Sequence, residues 1–441
     1  MKLKLVVASM SILGLISSPA FAGHSKKHCK KPCQPCAVVA PCATDYKGAG
    51  CMPCQVETPC MATMIYDLMG QNNYGRATHA MPDWFNRISV SGGINADFHW
   101  GNLSYGYQGE NNSRISVNDA YLNATALVND WTKAFLSMSY NNASDIVVGS
   151  IKGGTYSYAY PPGFNMEQAY VTIGNFRCSP FFFQVGQQFS DYGRYEIHPV
   201  ERTLVQVLTE SLQTSAKLGF ITQMGFHGQI YSFNNPVIET GSGHATPVFG
   251  AALGFDRVND QLGYGIGVDY LSSLMGVNDI AGNLGNAGTG VTTTYNNTVG
   301  GYAFYGDVNS GPFSLGVRYT TAIQNFSATN YSTIFANSTT ANGAKPWAVD
   351  GIAGYKFNYW GKDQGLYLGY QASGDAVNLL LPANRWLLGY DIAVWKSGCN
   401  ANLGTTDFGV QVSRDEDYST SKGGTGDYSN RIAARLAVKF G

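Results

Sequence analysis

The last twelve residues of the chain, 430–441, read NRIAARLAVKFG, and their pattern decides the fold. Apolar side chains stand at every second position, so that one face consists of Ile432, Ala434, Leu436, Val438 and Phe440. The opposite face carries Arg431, Arg435 and Lys439. Strict alternation of this kind indicates a β-strand with one apolar and one wet face. Such a strand can cover the core of a soluble protein or face lipid in a membrane barrel, so the rest of the chain has to decide.

The same alternation recurs along most of the chain. It is clear in RISVSGGINADF, residues 87–98, and in LGYGIGVDY, residues 262–270. Counting all such segments predicts sixteen strands, near 86–98, 115–127, 131–140, 165–174, 181–189, 213–222, 225–233, 248–258, 262–272, 298–308, 312–323, 347–359, 365–373, 385–396, 403–414 and 430–440. An even number of strands is what bacterial single-chain outer-membrane barrels require.

The connections between these strands alternate in length. Short links such as VNDQ, residues 258–261, are rich in Asn, Asp and Gly, which adopt turn conformations at low cost. Between them lie eight long polar stretches, 99–114, 141–164, 190–212, 234–247, 273–297, 324–346, 374–384 and 415–429. With both termini on the periplasmic side, sixteen strands need eight outer loops. The pattern therefore predicts short periplasmic turns and long external loops.

Composition agrees with a membrane barrel. Charged residues make up 13% of the chain, about half of the roughly 25% usual in soluble domains, and the chain has 53 glycines and 28 tyrosines. The net charge of -1 argues against nucleic acid as a partner. Because unpaired backbone groups are costly in lipid, a chain that crosses without helices must cross as a closed sheet. We predict an all-β, transmembrane antiparallel β-barrel of about sixteen strands in the bacterial outer membrane, with a secreted soluble β protein as the alternative.

The N-terminal part divides into three segments before the barrel. Residues 1–22 have Lys2 and Lys4, then an apolar run and a final Ala20-Phe21-Ala22, which predicts a signal peptide. Beyond it no apolar stretch approaches the roughly 20 residues of a spanning helix. Residues 23–62 are a Cys- and Pro-rich periplasmic preface that we expect to be flexible, and residues 63–85 a short helical or irregular lead-in. The barrel is predicted over residues 86–441.

Nine cysteines are predicted to lie on the periplasmic side of the membrane. Seven belong to the preface, namely Cys29, Cys33, Cys36, Cys42, Cys51, Cys54 and Cys60, and the other two, Cys178 and Cys399, fall in predicted periplasmic turns. Two C-x2-C pairs separated by 14 residues approach the spacing of a zinc site. An oxidising periplasm favours disulfides, which we expect for most of these residues. Zinc binding and free thiols remain the alternatives for the preface.

The candidate functional segment is the long loop after the fifth predicted strand, residues 190–211. Its charged and titratable residues include Asp191, Arg194, Glu196, His198, Glu201 and Arg202. A sixteen-stranded barrel leaves an aqueous channel, and a loop folded into it narrows the passage. Charges of both signs at such a constriction create a transverse field that orients solutes. The alternative is an external loop whose charges only keep it solvated.

Further charges are predicted to face the lumen, namely Asp97, Asp269, Arg435 and Lys439. Such a charge can tune selectivity, but more commonly it pairs with a neighbour. The seven histidines show no metal-ligand spacing, and no nucleophile motif appears, so we predict neither a metal, a cofactor nor an enzyme. Energised receptors of 22 strands carry a large plug, and the 63 residues from Gly23 to the first predicted strand are too few for one.

Three stretches resemble a known family. MPDWFNRISVSGGINADFHWGN, NDAYLNATALVNDWTKAFLSMSYNN and EIHPVERTLVQVLTESLQTSAKLGF are similar to the LbtU-type siderophore porins, over about residues 65–441. The resemblance implies a barrel of about sixteen strands that takes up a ferric siderophore. It implies no catalytic residue, and this chain differs from most such barrels in ending with Gly441 after Phe440.

Together these observations predict an outer-membrane porin. Its expected partners are the lipid bilayer and a small polar or anionic solute, with a ferric siderophore complex as the specific candidate, and a homo-oligomer is compatible with the sequence. The alternative function is a structural or adhesive barrel that its cysteines crosslink to other envelope proteins.

Overall fold

The computed structural model describes the barrel region of the chain. The described residues are 88–102, 111–141, 163–176, 178–194, 200–222, 224–258, 262–284, 294–333, 342–396 and 404–440. The predicted signal peptide, preface and lead-in lie outside them, as do Glu196, His198 and every cysteine except Cys178.

Sixteen antiparallel strands close into a barrel, as the alternation predicts. In chain order they are β1 (Ile88–Asn102), β2 (Asn111–Leu127), β3 (Thr132–Asn141), β4 (Gly163–Gly174), β5 (Phe181–Phe189), β6 (Leu212–Ile221), β7 (Phe226–Asn234), β9 (Pro247–Val258), β10 (Leu262–Leu271), β12 (Gly301–Ser310), β13 (Phe313–Ala322), β14 (Trp347–Tyr359), β15 (Lys362–Gly374), β16 (Asn384–Lys396), β17 (Thr405–Glu416) and β18 (Tyr428–Phe440). Two short strands, β8 (Ile238–Glu239) and β11 (Thr294–Tyr295), pair in parallel between two loops. The sequence pattern did not predict this small sheet, because two residues are too few to show a period.

The last strand closes the barrel by pairing with the first. The register between β1 and β18 runs from Gly92 opposite Phe440 to Gly101 opposite Arg431. Asp97 lies directly opposite Arg435 across this seam, and the Arg435 Nε donates to the Asp97 Oδ1 at 2.7 Å. The alternation of residues 430–440 therefore places the basic face inside the barrel and the apolar face outside.

Short turns join the strands at the end of the barrel where β1 begins and β18 ends. Trp360 and Gly361 connect β14 to β15 with φ angles of 55° and 67°. Positive φ at both positions matches the right-handed twist of the hairpin strands and favours glycine. In the β2–β3 turn, the Asn129 side chain accepts hydrogen bonds from the backbone N–H of Trp131 and of Thr132, both at 2.9 Å. The long connections begin and end at the opposite end of the barrel, as the described strand ends that flank them show and as predicted.

The outer face is apolar and has an aromatic girdle at each end. At the long-loop end the close ring pairs are Tyr270 with Tyr302 and Tyr370 with Trp386, at centroid distances of 5.4 and 4.5 Å. At the short-turn end they are Phe226 with Phe255 and Phe313 with Tyr355, at 4.6 and 5.1 Å. Between the girdles, exposed side chains such as Ile94, Ile266 and Leu388 point outward. This is the lipid-facing surface of an outer-membrane barrel.

In the part of the chain that the structure describes, two short α-helices lie in loops: α1 (Leu204–Thr209) follows β5 and α2 (Asn278–Gly282) follows β10. No helix within the described ranges is long and apolar enough to span a membrane.

Candidate pore constriction

The segment between β5 and β6 runs through the barrel interior, where it contacts the walls of several distant strands. Near its start, the Tyr192 hydroxyl lies 3.2 Å from the Thr320 hydroxyl of β13, and the Gly193 N–H donates to Asp269 of β10 at 2.9 Å. Tyr192 is buried, and burial raises the pKa of its hydroxyl above the ordinary value although the Thr320 contact lowers it. The hydroxyl therefore stays neutral.

Arg194 is the next residue on this path and is held by three lumen-facing side chains. Its Nη1 lies 3.1 Å from Asp256 of β9 and 3.5 Å from Asp307 of β12. Its guanidinium carbon lies 4.8 Å from the centre of the Tyr305 ring, a cation–π contact. The Arg194 side chain remains 24% exposed, so it can contact a solute in the lumen.

The far end of the segment reaches the opposite wall. The backbone N–H groups of Val200 and Glu201 both donate to the side-chain oxygen of Gln411 in β17, at 3.2 Å each. The Glu201 carboxylate accepts hydrogen bonds from Gln411 and from Ser413, both at 3.1 Å, and lies 3.3 Å from Arg431 of β18. Since β17 and β10 lie on different sides of the barrel, the segment crosses the lumen.

Arg202 lies in a buried ionic network. Its Nη2 donates to Glu210 at 3.2 Å and to Asp279 of α2 at 2.8 Å, and the side chain is only 5% exposed. Its carbonyl accepts a hydrogen bond from Arg385 of β16 at 3.0 Å. Arg385 in turn makes a bidentate pair with Asp415, at 2.7 and 2.9 Å.

Helix α1 then runs back through an apolar core inside the barrel. The Thr203 hydroxyl caps it by accepting a hydrogen bond from the Gln206 N–H at 3.1 Å, and the Leu204 N–H donates to Gln371 of β15 at 3.2 Å. All six helical residues are buried. The core around them is built by several inward loops and strands, including Leu204, Leu208, Leu274, Ile280, Tyr331, Leu379 and Leu381.

These contacts correct part of the sequence prediction for residues 190–211. Glu201 and Arg202 are expected there to contact solute, but both are buried and paired, so they fix the segment to the wall and to α2. Asp191 is 31% exposed in its side chain and pairs with the buried Lys217 of β6. Arg194 and Asp191 are thus the predicted residues that the structure leaves partly open to the lumen. Glu196 and His198 lie outside the described residues.

The four other predicted lumen charges all engage a neighbour. Asp97 pairs with Arg435, as described for the seam, and Asp97 also lies 3.9 Å from His99. Asp269 accepts the Gly193 N–H, and Lys439 lies 3.4 Å from Asp407 of β17.

Sequence reasoning missed the wall residues that hold the segment. Asp256, Asp307, Gln371 and Gln411 each occupy the polar face of an alternating strand, as Asp269 does. Alternation alone could have placed them in the lumen. It could not have named their partners, which come from a loop far away in the chain.

Cys178 lies exposed in the β4–β5 turn and forms no disulfide with a described residue. Among the described residues, no group of three or more His, Cys, Asp or Glu side chains has the arrangement of a metal site.

No protein-family model matches the chain. A UPF0422 protein of Coxiella burnetii is 24% identical over 349 residues, which covers 77% of this chain and 67% of that protein. A UPF0422 protein of Legionella pneumophila (strain Lens) is 23% identical over 341 residues, which covers 74% of this chain but only 62% of the relative's length.

Among solved structures, the chain resembles the outer membrane channel DcaP of Acinetobacter baumannii. The TM-score is 0.50 at 11% sequence identity, over 80% of this chain and 97% of DcaP. The fold is that of a porin-type barrel. Together with the apolar outer face and its two girdles, it places the chain in the bacterial outer membrane.

Proposed function

We propose that this protein is an outer-membrane channel that passes small polar solutes through a lumen narrowed by residues 190–211. The observation that carries the proposal is the path of this segment. It crosses a closed sixteen-stranded barrel and is tied by hydrogen bonds to lumen-facing side chains of β10, β13, β15 and β17. A barrel of this size encloses an aqueous channel, and a crossing segment restricts the size of what passes.

The charges at the proposed constriction are arranged to orient a solute more than to attract it. Arg194 lies between Asp256 and Asp307, so its charge is compensated locally. Opposite charges held a few ångströms apart create a transverse field, in which a dipolar or charged solute has a preferred orientation. We therefore propose Arg194 and Asp191 as the residues of this segment that contact solute.

The specific solute that we propose is a ferric siderophore complex. Support comes from the resemblance of the three quoted stretches to siderophore porins and from the partly exposed Arg194, which offers an N–H donor to a carboxylate-bearing ligand. The relatives among UPF0422 proteins carry no substrate in their names.

Recording from planar bilayers tests the channel. Purified protein that migrates as a heat-modifiable barrel on gels should produce stepwise conductance increases in potassium chloride. Folded protein that inserts without conducting would exclude a diffusion channel.

Uptake of radioactive iron tests the solute. Iron-starved cells that express this protein as their main porin should take up an anionic ferric siderophore faster than cells with an empty vector. Equal uptake in the two strains, together with normal conductance, would exclude the siderophore while leaving the channel intact.

A further inference from the structure

His227 of β7 lies in the barrel wall beside the charged side chains that hold Arg194. Its Nε2 lies 2.9 Å from the Oδ2 of Asp256, and the Oδ1 of the same carboxylate accepts a hydrogen bond from Arg194 at 3.1 Å. The Tyr305 hydroxyl lies 3.5 Å from the same histidine nitrogen. One carboxylate of β9 therefore connects an inward histidine to the partly exposed arginine of residues 190–211.

Glycines of the neighbouring strands make room for this arrangement. A side chain at Gly254, which lies opposite His227 on β9, would overlap the histidine ring and the Tyr305 hydroxyl. A side chain at Gly265 of β10 would overlap the Asp256 carboxylate. The inward faces of β9 and β10 thus lack side chains where the histidine and the carboxylate lie against the wall, and this close approach keeps the two groups together.

The fixed charges around His227 balance each other. They belong to Asp256, Asp307, Arg194 and Arg318. Arg318 of β13 donates to Asp307 at 2.6 Å, and Arg194 lies 3.5 Å from the same carboxylate. Two carboxylates and two guanidinium groups carry no net charge when all are ionised. The charge of this cluster therefore depends on whether the His227 ring is neutral or protonated.

The other inward charges near His227 pair outside the cluster. On β6, Lys217 pairs with Asp191. On β10, Asp269 accepts the Gly193 N–H at 2.9 Å. A proton taken up by His227 consequently adds one positive charge to a cluster that is otherwise balanced.

The ring can take up this proton without a rearrangement. Its Nε2 faces a carboxylate oxygen, so the neutral ring donates from Nε2 and an added proton goes to Nδ1. Nδ1 makes no hydrogen bond with a described residue, and 6% of the side chain is exposed. Because each Asp256 oxygen has its own partner, Arg194 keeps its contact when the ring is charged.

We propose that His227 is a proton-controlled determinant of ion selectivity at the constriction. When its ring is charged, the cluster has a net positive charge, which raises the potential beside the 24% exposed side chain of Arg194. His227 is itself buried and acts through this field, not by touching a solute. The inference rests on the proposed channel function and deepens it, because the channel then admits anionic solutes more readily in an acidic medium than in an alkaline one.

Reversal potentials in a potassium chloride gradient test the inference in planar bilayers. The chloride-to-potassium permeability ratio of the wild type should rise about two- to four-fold between about pH 8 and about pH 5.5, the range in which a histidine changes its charge. The variant His227→Gln keeps an amide that can donate to Asp256 but does not titrate. It should match the wild type at the higher pH and lose most of the rise, whereas a merely structural role would change the ratio equally at both pH values.

The matched control is His99→Gln. His99 is another buried inward histidine, but its Nε2 lies 3.9 Å from Asp97, which Arg435 binds, and β1 lies across the barrel from β9 and β10. This variant should keep the wild-type rise. The inference is overturned if the wild-type ratio does not rise on acidification, if His227→Gln keeps the rise, or if both variants lose it equally.

Histidine NMR of the detergent-solubilised barrel separates this inference from the channel itself. Protein labelled with carbon-13 at the histidine Cε1 atoms should show a signal that His227→Gln lacks and that shifts between the two pH values. A conducting channel in which this signal does not shift refutes the inference alone. Folded protein that does not conduct refutes the proposed channel, and the inferred selectivity fails with it.

Discussion

Two arginines of one loop show how burial decides the role of a residue. The Arg202 side chain is paired with Glu210 and Asp279, and its backbone carbonyl accepts a hydrogen bond from Arg385. Arg194, by contrast, keeps 24% of its side chain exposed. Removing one partner of a buried ion pair leaves an uncompensated charge and is strongly destabilising. A substitution at Arg202 therefore tests how residues 190–211 are anchored. A substitution at Arg194 tests the charge that faces the lumen.

Arg194→Ala should move the ion selectivity of the channel toward cations. Asp256 and Asp307 lose the cation between them, so the lumen gains net negative charge at that level. In a potassium chloride gradient, the reversal potential should shift toward the potassium equilibrium value. The control is Arg414→Ala, which removes an outward arginine stacked on Tyr428 and should leave the reversal potential unchanged. If the reversal potential of Arg194→Ala is also unchanged, Arg194 does not face the conducting path.

Secondary structure could be predicted well from the sequence because each strand shows its two faces within a few residues. The predicted strands at 181–189 and 347–359 coincide with β5 and β14, and the other fourteen barrel strands were each identified with small boundary shifts. The contacts that fix the path of residues 190–211 could not be predicted in this way. Its position depends on Gln371, Gln411 and Arg431, which lie far along the chain, and alternation within a strand does not report contacts between distant elements.

Gln411→Leu should loosen the far end of the segment without opening the barrel. The change removes the oxygen that accepts hydrogen bonds from the Val200 and Glu201 N–H groups. Each buried group left unpaired lowers the stability of the segment by about 1–3 kcal/mol. We expect frequent subconductance transitions and about ten-fold faster trypsin cleavage at Arg194 or Arg202.

The matched control for this change is Gln184→Leu. Gln184 is another buried lumen glutamine, but it bonds Thr172 of the neighbouring strand rather than the loop. Both variants should keep heat-modifiable migration. Equal noise and equal cleavage in the two variants would show that Gln411 does not hold the segment.

At the level of the whole molecule, the barrel combines an apolar exterior with an interior whose two sides differ. Inward loops fill the region beside β10, β13 and β15 with an apolar core around α1. The inward face of β1–β4 instead carries mostly polar side chains, both uncharged ones such as Asn123 and charged ones such as Asp97 and Lys133. The sixteen strands therefore supply the membrane-spanning wall, and the inward loops at the long-loop end determine how much of the lumen stays open. This division requires the long loops to lie together on one side of the membrane.

Epitope insertion tests that arrangement on intact cells. A tag after Gly243, in the β7–β9 loop, should be accessible to antibody from outside, because added atoms at this glycine meet open space. A tag between Cys178 and Ser179, in the β4–β5 turn at the other end, should become accessible only after the outer membrane is permeabilised. Both tagged proteins must first show heat-modifiable migration, which confirms a closed barrel. Labelling of the Cys178 tag on cells with an intact outer membrane would show that the barrel has the opposite orientation to the one predicted. Residues 190–211 would then enter the lumen from the periplasmic side. A solute arriving from outside would meet the short turns first.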